Sequence, residues 1–180
     1  MSLKEVVPCF TAINPSCKGC VHRLDRELCQ KIIDYLEQHN TLTLATSTGG
    51  LPWAASLYYV NDRFNLYFLS KPEARHCQNL RENSAVAATI NDDYKNWREI
   101  KGIQLEGTAY YVSGTVEKAG AMNLYLKKYP FVKDFISVSR LKEALSSVKI
   151  YKIEPSTVWF VDNSAGYFDR KELKIGAVNT

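Results

Sequence analysis

The stretch "SKPEARHCQNLRENS", residues 70–84, gathers Lys71, Arg75 and His76 at the start of an expected helix, between two stretches of strand character. Cations at that end oppose the helix dipole, at roughly 0.3–1 kcal/mol each near the surface. They fit if a dianion lies between them and the free N–H groups of the first turn. A phosphate would engage Arg75 through a two-pronged contact, and Lys71 or His76 as point charges. Ser70 and Glu73 match a capping box, with Pro72 in the first turn, where a missing N–H costs nothing. The plainer reading is a solvated surface helix whose charges keep it soluble, and the pattern alone does not choose between the two.

Cysteine is the second reactive type. Cys9, Cys17, Cys20 and Cys29 cluster early, with His22 nearby, while Cys77 stands alone. Four thiolates can close a tetrahedral zinc site or hold an iron–sulfur cluster. The C-x-x-C pair Cys17–Cys20 is the sharp part of that pattern, and the outer spacings match no known signature. Cys29 equally reads as a small apolar residue on a buried helix face. A redox pair is a third reading.

The elements that must position these groups follow from hydrophobic period. The chain has 180 residues, 46% hydrophobic and 23% charged, which suits one soluble domain with a real core. Its net charge of +4, without a long Lys/Arg run, gives no reason to expect a nucleic-acid partner. No signal peptide and no run of roughly 20 apolar residues is present, so a cytoplasmic protein without a membrane partner is expected.

Residues 1–24 read as an irregular cysteine-containing arm. Leu24, Leu28, Ile32 and Leu36 recur every four residues and predict a helix over 25–39, with Asp25 as its cap and Asn40 as its stop. The period then changes to two. "TLTLATS", "LPWAASLYYV" and "FNLYFLS" form a meander with turns at "TGG" and "NDR". Strands "AVAATI" and "IKGIQLEGTAYYV" follow. A helix comes next over "VEKAGAMNLYLKKYP", with Thr115 as its candidate cap, and then a short helix around 139–146. The closing strands "SVKIYKIE" and "TVWFVDN" read as broken at Pro155, and residues 169–180 form a tail of little pattern. This predicts a mainly β fold with α: an antiparallel six-stranded split β-barrel with flanking helices.

"LYFLSKPEARHCQNLRENSAVAATI", followed by "IKGIQLEGTAYYV", resembles the flavin-binding split-barrel superfamily typified by pyridoxamine 5'-phosphate oxidase, over about residues 25–168. "KIEPSTVWFVDNSAGYF" is similar to a small uncharacterised bacterial branch of it. The resemblance implies FMN at the interface of a homodimer. Arg75 and His76 match the basic pair that holds the flavin phosphate. His76 stands for a more usual Lys and Ala74 for a frequent Ser, with Lys71 available to compensate. Leu69 and Ser70 match the strand end beside the ring system. Ala54, Ala55, Ser56 and Leu57 match the strand whose backbone pairs with the pyrimidine edge. Gly102 stands where the family often has Gln, and Gln104, on the same strand face, is the candidate substitute.

Each of Trp53, Trp97 and Trp159 is explained by packing alone, and Trp159 is the preferred flavin-wall residue. The C-terminal motif for pyridoxal phosphate is missing, since the chain ends "KELKIGAVNT", so pyridoxamine phosphate oxidation is not expected. The expected function is therefore an FMN-dependent oxidoreductase of flavin reductase type, passing hydride or electrons. NADH or NADPH is a candidate donor, although no nicotinamide motif is present. A non-enzymatic flavin carrier, a redox sensor using the cysteine arm, and a haem-binding split barrel remain alternatives.

Overall fold

The computed structural model describes residues 23–132, 147–164, 166 and 169–175. Helix α1 (Arg23–Gln38) is followed by strands β1 (Thr41–Thr48), β2 (Leu51–Asp62) and β3 (Asn65–Ser70). Then come helix α2 (Arg75–Glu82), strands β4 (Ala85–Asn91) and β5 (Lys101–Tyr111), helix α3 (Thr115–Lys128), and strands β6 (Lys149–Asp162) and β7 (Arg170–Lys174). The fold is mainly β, and β3-β2-β1-β4-β5-β6 close into an antiparallel six-stranded barrel through the β3–β6 pairing. Strand β7 is added outside the ring, along the second half of β6.

The alternation read in "TLTLATS" puts Leu42 and Leu44 inside the barrel, with Ile90, Ile103, Leu105 and Ile153 from other strands. The four-residue period of α1 delivers Ile32 and Leu36 to the same core. Helix α1 packs at one end of the barrel, where Tyr59 Oη donates to Leu36 O at 2.7 Å and Tyr35 Oη to Lys101 O at 3.0 Å. The Lys128 ammonium reaches the end of α1, donating to His39 O at 2.6 Å, where a helix C-terminus favours a cation.

Helix α2 packs at the opposite end. Its buried Asn79 donates to Thr46 Oγ1 at 3.0 Å, and Asn83, just past its end, donates to Ser47 O at 3.2 Å. Replacing Asn79 with Ala strands a buried hydroxyl and cuts the tie between α2 and β1. The expected loss is about 1–3 kcal/mol in chemical denaturation; an unchanged midpoint would mean that the bond is dispensable.

Four expectations are corrected. Helix α1 begins at Arg23, so Asp25 lies within it rather than capping it. Helix α3 begins at Thr115, so the cap position belongs to Gly114 and no side chain caps it. Pro155 does not break the closing segment. Strand β6 runs through it because the register shifts between Glu106 and Gly107, leaving Ser156 as an extra residue opposite them. A bulge tolerates the missing proline N–H. Finally, the tail holds a strand: β7 is short and polar, and so invisible to a hydrophobic period. The helix expected around 139–146 lies outside the described residues.

The barrel is split along β2. Strand β3 pairs with β2 only over Tyr59–Asp62, then with β6 over Leu66–Ser70. Tyr125 on α3 stands where β2 and β3 part, its hydroxyl 2.9 Å from Tyr58 O and 3.1 Å from Tyr67 O. Among the described residues no strand pairs with Leu51–Tyr58 on that edge, and Leu51, Trp53 and Tyr58 are exposed.

Candidate functional site

The chain between β3 and α2 decides which basic groups face solvent. Ser70 is still paired with Lys149 in the β3–β6 ladder, so it cannot cap a helix that starts at Arg75. The expected capping box is therefore absent. Ala74 occupies the cap position without a side-chain bond, and the first-turn N–H groups of Arg75, His76 and Cys77 carry no side-chain cap. Such uncapped donors favour an anion.

Arg75 is exposed and stacks on Trp53, its guanidinium carbon 4.4 Å from the ring centroid. This brings α2 against the unpaired half of β2. Lys71 is exposed beside them in the sequence. Trp53, rather than Trp159, is the tryptophan that Arg75 meets, and it lies next to Ala54–Leu57 on the same strand.

His76 turns inward instead. It is 7% exposed, and its Nε2 lies 2.7 Å from Ser70 Oγ, with Phe68 edge-on at 6.0 Å. Burial lowers its pKa below the ordinary imidazole value, so near neutral pH it is an uncharged partner of Ser70 rather than a point charge. The sign of its effect on stability follows. The unfolded chain binds the proton more readily, so the contribution of His76 is complete above about pH 6.5 and is lost as pH falls through the lower folded value. His76→Gln is expected to flatten the melting temperature against pH below about 6.5; parallel curves for both proteins would contradict this.

The remaining candidates divide between two places. Ala54 and Ser56 are exposed, Ala55 and Leu57 are half-buried, and Leu69 is half-buried against the cluster under α3. Ser56, Thr43, Thr89, Gln104 and Trp159 form one cross-strand row over five strands. At about 4.8 Å per strand step, Gln104 is about 14 Å and Trp159 about 19 Å from Ser56 along the sheet. Beside the row lie Ala45, Ala54 and Ala87, all exposed and in register, so only small side chains stand on this part of the outer sheet surface.

Trp159 is half-buried under Arg170 of β7, at 5.2 Å. Gln104 borders a cavity of about 350 Å3 with Thr89, Asn91, Tyr94 and Lys101. A Cβ on Gly102 would stand 3.2 Å from Ile90 O, so the β4 backbone would have to yield to any larger residue there.

Cys9, Cys17 and Cys20 lie outside the described residues. Cys29 is half-buried on α1, and Cys77 is fully buried in α2. No helix among the described residues is long and apolar enough to cross a membrane.

Comparison with known proteins agrees with this architecture. The family model described as pyridoxamine 5'-phosphate oxidase matches residues 28–162. The UPF0306 protein PM1958 of Pasteurella multocida is 29% identical over 152 residues, covering 83% of this chain and 93% of that protein. Among solved structures, a haem-binding protein from Mycobacterium smegmatis superposes with TM-score 0.64 at 22% identity, covering 86% of this chain and 59% of that one. A pyridoxamine 5'-phosphate oxidase-type protein from Listeria innocua superposes with TM-score 0.58 at 22% identity, covering 74% of this chain and 97% of that one. The split barrel and the family match over most of it lead to one conclusion: this chain belongs to the pyridoxamine 5'-phosphate oxidase family.

Proposed function

We propose that this chain is an FMN-binding flavoprotein, with the flavin phosphate at the start of α2 and the ring system along the unpaired half of β2. The observation that carries the reading is Arg75. Its guanidinium is exposed, lies against Trp53 and adjoins a first turn without a side-chain cap. A guanidinium binds a phosphate by two parallel hydrogen bonds, and the turn adds backbone donors. Lys71 adds a second positive charge, while His76 orients the turn through Ser70. The free edge of Leu51–Leu57 offers unpaired backbone groups to the polar rim of a flat ring, and Ala54 and Ala55 leave room for its approach. FMN would supply hydride or electron transfer. NADH or NADPH is the proposed donor.

A homodimer belongs to the same proposal. Gln104 and Trp159 stand on β5 and β6, on other strands of the wall than the Arg75–Trp53 pair, and in this reading they would reach the flavin bound by a second copy. The alanine-bearing surface and the open β2 edge are where that copy would sit. Light scattering is expected to return twice the chain mass, and a monomer that binds FMN fully would remove this part of the reading.

Haem is the second reading, prompted by the name of the Mycobacterium smegmatis neighbour. Against it, both described histidines are engaged. His76 is hydrogen-bonded to Ser70, while His39 stacks on Tyr35 and lies 3.1 Å from Asp92. Titration of the protein with FMN and with haem, followed by absorption, separates the two readings.

A further inference from the structure

A second cavity, of about 450 Å3, opens on another side of α2. Its inner wall is Cys77, Leu80 and Tyr151, all buried. Tyr111, 42% exposed, meets Tyr151 on the same face of the sheet, Tyr110 borders the space beside it, and among the described residues Arg81 and Lys149 are the charged groups that line it. Six positions along a helix of 3.6 residues per turn put Arg81 about 120° around α2 from Arg75. The two arginines thus serve different surfaces.

The groups are held in place. The Arg81 guanidinium donates one N–H to Pro72 O at 3.2 Å, which orients the fork. Lys149 is fixed at the backbone by pairing with Ser70. Lys118 donates to Tyr111 Oη at 2.7 Å and lies over the ring at 4.8 Å, pinning that wall. Tyr111 and Tyr151 meet edge to face, with centroids 6.2 Å apart. The volume is in the range of small-ligand sites, roughly 300–1,000 Å3, where apolar walls and a few polar groups set orientation.

We propose that the cavity between α2 and the start of β6 binds a small aromatic carboxylate, with its ring among Leu80, Tyr111 and Tyr151 and its carboxylate between Arg81 and Lys149. A carboxylate matches the planar fork of Arg81, and the tyrosine rings favour an aromatic body over an aliphatic one. The site is independent of the flavin reading and binds whether or not FMN is present.

Naphthalene-2-carboxylate is the probe, titrated into the full chain by calorimetry, with naphthalene-2-carboxamide as its uncharged counterpart. The acid is expected to saturate one site and the amide to bind about tenfold more weakly, the effect of losing one charge-assisted contact. Arg81→Gln and Lys149→Gln are each expected to weaken the acid by about tenfold, while Arg75→Ala leaves it unchanged. Both glutamine variants replace exposed side chains, and circular dichroism checks that they fold. Equal affinity for acid and amide, insensitivity to Arg81 and Lys149, or no saturable binding at the solubility limit of the acid would each overturn the assignment.

Discussion

Replacing Arg75 with alanine is expected to weaken FMN binding by about 10- to 100-fold, the equivalent of one charge-assisted contact worth about 1.5–3 kcal/mol. Arg75 is exposed, so its loss creates no cavity in the core and no buried unpaired group. Two comparisons isolate the cause. Arg75→Lys keeps the charge and loses the fork, so it should recover only part of the affinity. Lys127→Ala removes an exposed cation on α3 and should change nothing. Riboflavin, which lacks the phosphate, should bind the native protein and Arg75→Ala alike. If riboflavin were as sensitive to the substitution as FMN, Arg75 would be a ring contact and the phosphate assignment would fail.

The second large effect is structural. Gly107→Ala drives a Cβ into Glu154 O and to 2.7 Å from Pro155 Cα, both backbone atoms. Neither can swing aside as a flexible side chain would, because this is where β5 meets the bulge that accommodates Pro155. Accommodation means moving the β5–β6 ladder itself. The expected cost is about 3 kcal/mol or more, at the upper end for overpacking. That is a melting temperature lower by about 6–12 °C for a domain of this size. Gly49→Ala, in the "TGG" turn, is a milder comparison. Its φ is 55° with open space around it, so only backbone strain is added. Equal losses at both positions would show that the clash at Gly107 is relieved elsewhere.

The sequence carried the barrel well because its signal is local. The alternation of Leu42 and Leu44, the Gly49–Gly50 turn and the four-residue period of α1 each specify an element by themselves. Three features escaped because their causes are distant in sequence. Ser70 looked like a cap by spacing, but its pairing with Lys149 holds it in a strand and turns its hydroxyl to His76. His76 looked like a cation because burial leaves no trace in composition. Pro155 looked like a break, since the bulge that rescues it needs Gly107 on another strand.

The site was legible in part. "EARH" gave Arg75, yet its contact with Trp53 depends on how α2 packs against β2. Ser56, Gln104 and Trp159 lie far apart in the sequence. Their common row, and its length, emerge only from the strand order β2-β1-β4-β5-β6.

The measurement closest to the central claim is an FMN titration of the purified protein, followed by flavin fluorescence and visible absorption, beside the same titration of Arg75→Ala. The account predicts saturable binding with quenched flavin emission in the native protein, and a curve shifted by about 10- to 100-fold in the variant. A native protein that leaves FMN free while taking up haem would contradict it, and the split barrel would then have to be read as a haem site.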